Sequence, residues 1–132
     1  MRVWDIPAHY LCRQHLLAQH LEIHTIFSVI YNKKKGYSKH PETLRWINKL
    51  DQLKLMHELT VREMQRRQFN HKSPLPDNIP IAKLRDNYGV VDPIWRQIHE
   101  IYRKGCACNL DGMYLWYEAI RDWPSERDND VF

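Results

Sequence analysis

Apolar residues fall at helical spacing in three stretches of the chain. Between residues 13 and 32, Leu16, Ile23, Ile26, Phe27 and Ile30 recur at intervals that line one side of a helix, and Gly36 ends the pattern. Pro41, a good first-turn residue, opens a second stretch in which Trp46, Leu50, Leu53 and Met64 carry the pattern to about residue 67. The third runs over 93–104, with Ile94, Ile98 and Ile101 on one side and Gly105 as the stop. Ahead of the first, Pro7 suits a first turn, so residues 1–6 read as an extended arm. The segment SPLPDNIP is rich in proline and cannot continue a helix; it reads as a connecting loop. MYLWYEAIRDW predicts a last helical turn or two, followed by a tail frayed from about residue 124. No strand-like alternation or internal repeat is present. The expectation is an all-α fold of about three main helices, with an extended N-terminal arm and long loops, forming a single domain over 1–132.

Composition narrows the class. A chain of 132 residues with 43% hydrophobic and 27% charged residues suits one ordinary globular core, and no apolar run nears the roughly 18 residues of a membrane span. The N-terminus lacks the apolar stretch of a secretory signal, and three cysteines (Cys12, Cys106, Cys108) cannot build a disulfide framework, so thiols in a reducing, cytoplasmic setting are expected. Net charge is +4, compatible with a polyanionic partner without requiring one. The distribution says more. Lys33, Lys34 and Lys35 form one basic run and Arg62, Arg66 and Arg67 another, whereas the last residues, SERDNDVF, are net acidic. Lys and Arg in a last helical turn also simply complement the helix dipole.

On the first helix, residues seven apart lie about 20° from alignment, so His15 and Glu22 share a stripe with Gln19 between them, largely separate from the apolar one. Such a glutamate could equally be a solvent-facing residue of an amphipathic helix. His20 and His24, spaced i and i+4, could offer two imidazoles to a metal, but a third ligand is not evident and HExxH is absent. The CxC pair, Cys106 and Cys108, would need two further ligands, with His99 and His71 as the candidates, and a small core or loop role serves as well. The expectation is no metal and no cofactor.

Several short features occur in a particular order: Arg2 in the arm, then Gln14, His15 and Leu16, then Glu22, then Phe27, and later the exit Arg67, Phe69 and Asn70 after HPETLRWINKLDQLKLMHELTVREMQRRQFNH. This order resembles the phage endonuclease V type of pyrimidine-dimer DNA glycosylase and its bacterial relatives, over residues 1 to about 75. The resemblance implies a bifunctional glycosylase and abasic-site lyase acting on damaged duplex DNA as a monomer. Its nucleophile would be the α-amine of the first residue, here Met1, which the bulky Arg2 protects from removal. Glu22 would be the partner carboxylate. Arg2, Gln14 and His15 would hold phosphate or sugar oxygens, helped by His20, His24, Arg66 and Arg67.

An α-amine of pKa about 7.7 is roughly one-sixth neutral at pH 7, against about one lysine in 2,500, so it is the better nucleophile. Attack on the sugar C1′ displaces the base, leaves an imine and permits β-elimination of the 3′ phosphate. Two features depart from the family pattern. Leu21 and Thr25 stand where it carries arginines, and the aromatic pair Trp116 and Tyr117 is followed by Glu118 and an acidic end. Two alternatives therefore stay open: a DNA-binding module without cutting activity, and an enzyme for another modified base or an abasic site.

Overall fold

The computed structural model describes residues 2–71, 73–82 and 92–121. Among them are five α-helices and no strand, so the all-α expectation holds. After a 3-10 turn at Ala8–Tyr10, α1 spans Arg13–Tyr31. Cys12 caps it in extended conformation, its Sγ accepting the His15 N–H, and Lys33 at φ 52° carries the chain out. Helix α2, Pro41–Arg45, is capped by His40 Nδ1, which accepts the Glu42 N–H.

The single helix predicted over 41–67 is broken. The chain turns at 46–49, where Asn48 takes a left-handed φ of 63°, and resumes as α3, Leu50–Arg66. Asparagine tolerates that conformation better than most residues. The apolar pattern ran through the break because Trp46, fully buried, belongs to the same cluster as Leu53 on α3. Helix α4 covers Ile94–Arg103 and stops at Gly105, whose φ of 63° suits a glycine C-terminal to a helix. Helix α5, Leu110–Arg121, is longer than the turn or two expected; Asn109 Oδ1 accepts the Gly112 N–H at its start. The tail predicted to fray lies outside the described residues. No described helix is long and apolar enough to cross a membrane.

Helix α1 packs along α3, α4 pairs with α5, and the 3-10 turn touches both α3 and α5. Two apolar clusters result. One gathers Val3, Ile23, Ile26, Phe27, Trp46, Leu53, Met56 and Leu75; the other Trp4, Ile6, Leu11, Leu16, Met64, Ile98, Ile101, Cys108 and Met113. The extended arm runs along the seam, giving Val3 to the first and Trp4 and Ile6 to the second, because successive side chains of extended backbone point to opposite sides. Val3 and Ile6, 0% and 1% exposed, each contribute about 1.5–3 kcal/mol of burial to holding it there.

Candidate active site

Three consecutive amides of the arm donate to three side chains from three helices. Val3 N–H donates to Glu42 Oε1 of α2 (3.1 Å), Trp4 N–H to Gln19 Oε1 of α1 (2.8 Å), and Asp5 N–H to Gln97 Oε1 of α4 (2.8 Å). A buried amide without an acceptor is costly, so each pairing fixes the arm's register. Arg45 completes the clamp. Its guanidinium donates to the Val3 carbonyl (3.2 Å) and Glu42 Oε1 (2.9 Å) and pairs with the fully buried Asp5 carboxylate, whose other oxygen accepts from Gln97 Nε2 at 2.9 Å. Gln19 Nε2 donates onward to Thr60 Oγ1 of α3 at 3.0 Å.

Gln19 lies three residues before Glu22, so the clamp and the candidate carboxylate occupy one stripe of α1. Glu22 is half-buried, and its carboxylate forms no hydrogen bond or ion pair with another described residue. Met1 itself lies outside the described residues. Arg2, next to it, lies over the Trp4 ring, 4.7 Å from its centroid, and pairs with Asp92 at 2.8 Å. It borders a pocket of about 140 Å³ shared with His40, Glu42, Arg45, Asp92 and Gln97. An open cleft of about 440 Å³ is lined by His24, Thr25, Ser28, Val29, Lys34, Gly36 and Tyr37.

The remaining predicted contacts are scattered. Gln14 is exposed on the first turn of α1. Arg66 is largely exposed and grips Glu63 through two nitrogens (2.8 and 2.6 Å). Arg67 shares Glu63 (2.6 Å) and donates to the Leu11 carbonyl (2.7 Å), so it ties α3 to the end of the 3-10 turn. These contacts hold the Glu63 carboxyl below its ordinary pKa, the Arg66 hydrogen bond foremost. Trp116 and Tyr117 pack against the second apolar cluster.

Two side-chain clusters were only half visible in the sequence. His20 and His24 meet His57 of α3 and His71 of the following loop, with one ring nitrogen from each residue within 4.8 Å of the others. His24 Nε2 lies 3.1 Å from His57 Nε2, and the fully buried His57 turns Nδ1 to Glu58 Oε1 (3.0 Å). Burial, reinforced by the neighbouring rings, brings the pKa of His20 down to about 4 and lowers those of His24 and His57, so these rings are neutral at pH 7. A neutral ring lacks the charge that a phosphate clamp uses.

The second cluster joins the two ends of the described chain. His15 Nδ1 lies 3.2 Å from Cys12 Sγ and 3.3 Å from Cys108 Sγ, and Cys106 completes a set of four ligand atoms within 4.8 Å. Here CxC finds Cys12 and His15, not His71, which lies in the histidine cluster, or His99, which stacks on Tyr102.

A family model described as pyrimidine dimer DNA glycosylase matches residues 1–77. That span contains the arm, the Glu22 stripe, α2 and α3. No curated protein and no solved structure matches the chain.

Proposed function

From the premise that this chain belongs to the pyrimidine dimer DNA glycosylase family, we propose that it removes a damaged base from duplex DNA and cleaves the strand through an imine on the Met1 α-amine. The observation that carries this reading is the clamped arm. Glu42, Gln19, Gln97 and Arg45 fix the backbone of Val3–Asp5 against the helix that bears Glu22, so the residues immediately following Met1 have little freedom. On this reading, an arm fixed in advance saves part of the entropy of bringing amine and carboxylate together.

The unprotonated amine attacks C1′ of the lesion nucleotide and the C1′–N bond to the base breaks, the base departing with a proton from the amine; the C1′–O4′ bond then opens, with O4′ taking up a proton, to leave an iminium. The resulting iminium acidifies C2′–H. Glu22, which no described residue engages, stabilises the positive charge and accepts that proton, and the 3′ phosphate leaves by β-elimination. Hydrolysis of the imine returns the amine. Opening the duplex by extruding the nucleotide opposite the lesion, as the family resemblance implies, costs a few kcal/mol, less where the lesion stacks poorly. Arg2, Gln14 and Arg66 supply phosphate contacts, Arg2 by exchanging Asp92 for DNA.

Leu21, 65% exposed beside Glu22, gives an apolar surface where the family carries arginine, which favours testing an abasic duplex beside the dimer. The experiment is borohydride trapping on duplexes bearing a cyclobutane dimer, an oxidised base or an abasic site. A covalent adduct mapped to Met1 is the expected result; no adduct and no strand break on any substrate would overturn the reading. Glu22→Gln should still bind DNA but lose cleavage by about 100-fold or more. If the wild-type chain binds lesion DNA without cutting it, the protein is a binding module.

A further inference from the structure

We propose that Cys12, His15, Cys106 and Cys108 hold a zinc ion that staples the α4–α5 hairpin to the start of α1. The set is three thiols and one imidazole, the donor combination of closed structural zinc sites. With zinc about 2.3 Å from sulfur and about 2.0–2.1 Å from nitrogen, a tetrahedron has edges of roughly 3.6–3.8 Å. The sulfur–nitrogen separations of 3.2 and 3.3 Å, with all four atoms within 4.8 Å, bracket those edges, so small shifts seat the ion.

The surroundings of Cys12 suit a thiolate. Cys12 caps α1, where the helix dipole favours negative charge, and its N–H donates to Cys108 Sγ at 3.0 Å. Binding displaces three thiol protons to solvent, and His15 binds as the neutral ring through Nδ1. The cluster then carries one net negative charge, with the ammonium of Lys104 acting on His15 from nearby. A disulfide would use two sulfurs and leave the His15 nitrogen and the third sulfur without a role. The backbone already brings the partners together: Asn109 N–H donates to the Tyr10 carbonyl at 2.8 Å.

The test is elemental analysis of the full chain purified from zinc-supplemented culture, followed by exchange with cobalt. Tightly held zinc and a thiolate-to-cobalt charge-transfer band are expected. A mercurial reagent should release the zinc, and Cys106→Ser, at a half-buried position, should lose the band while keeping its helical spectrum. Absence of the band in the wild type, a band unchanged in Cys106→Ser, or a disulfide among the three thiols in the metal-loaded protein would each overturn the proposal.

A separate observation carries a second site. His20 Nε2 is buried with no hydrogen-bond partner, and it lies in the cluster with His24, His57 and His71. We infer that these four rings bind a divalent transition cation of the zinc type. The Glu58 carboxylate on His57 Nδ1 leaves Nε2 as the lone-pair nitrogen facing His24, and the Ser73 carbonyl engages His71 Nε2 (2.9 Å), leaving Nδ1 to ligate. Such outer partners fix the tautomer of a ligating histidine. With cobalt this site gives visible bands without thiolate charge transfer, so it can be read in Cys106→Ser. One equivalent of metal there, lost in His20→Gln and in His71→Gln, is expected. A Cys106→Ser protein that retains no metal after dialysis against zinc, or His20→Gln and His71→Gln variants that retain it in full, would overturn this second site.

Discussion

Replacing Arg45 with methionine isolates the charge at the centre of the clamp, because methionine is nearly as long and fills most of the space. The Arg45 side chain is 3% exposed and joins Asp5, Glu42 and the Val3 carbonyl. Its loss takes the Arg45 cation away from the Asp5 carboxylate, 0% exposed, and from that of Glu42, 10% exposed. Breaking a buried pair from one side costs about 3–5 kcal/mol, a large share of the roughly 5–15 kcal/mol that stabilises a domain. Unfolding entropy of about 2.1 cal/mol/K per residue gives about 0.28 kcal/mol/K for this length, so the thermal midpoint should fall by about 11–18 °C. With a urea dependence near 2 kcal/mol/M, the urea midpoint should fall by about 2 M. Circular dichroism during urea unfolding measures both the variant and Asp5→Asn/Arg45→Met. Removing one stranded charge should recover part of the loss. An Arg45→Met protein within about 1 kcal/mol of wild type, or a double variant no more stable than the single one, would refute the reasoning.

Gln19→Leu removes the acceptor of the buried Trp4 N–H and should cost about 1–3 kcal/mol in urea unfolding, while slowing borohydride trapping more than it weakens DNA binding. Gly112→Ala places a methyl group 2.6 Å from the Tyr10 ring; the ring or α5 must move, lowering stability by about 1–3 kcal/mol, with relief when Tyr10 is also shortened to alanine. Glu63 is held below its ordinary pKa of 4.5 by Arg66 and Arg67, so its contribution is fully present above that value and is lost as pH falls through its folded pKa. Melting curves between pH 5.5 and about 3 should therefore drop more steeply for wild type than for Glu63→Gln; parallel curves would contradict this linkage.

Local patterning revealed the helices because it is a property of neighbours in sequence. The expected first helix, 13–32, and the observed Arg13–Tyr31 agree to a residue at both ends, and Ile98 and Ile101 are buried as the third stretch required. The break at Asn48 stayed hidden because apolar spacing continues across it, and nothing in the local pattern marks the charged Glu42 and Arg45 as inward-facing, since they turn in only where the arm passes over them. The site follows the same division. His20 and His24 are visible as a pair on one helix turn, whereas His57 and His71 reach them only through the packing of α3 on α1. Cys12 and Cys108 are 96 residues apart, and no spacing rule links them.

The arm at the seam ties the chain's first residues to the behaviour of the whole molecule. Lifting residues 3–6 away would expose Val3 on one side and Trp4 and Ile6 on the other, and would strand three amide hydrogens together. Fraying at this end then costs nearly as much as complete denaturation, unlike the loose termini of most domains. The amide protons of Val3, Trp4 and Asp5 should exchange with heavy water as slowly as those of the helix centres. Heat should thus silence the enzyme and unfold it along a single curve, and a stabilising substitution anywhere in either apolar cluster should lengthen its working life.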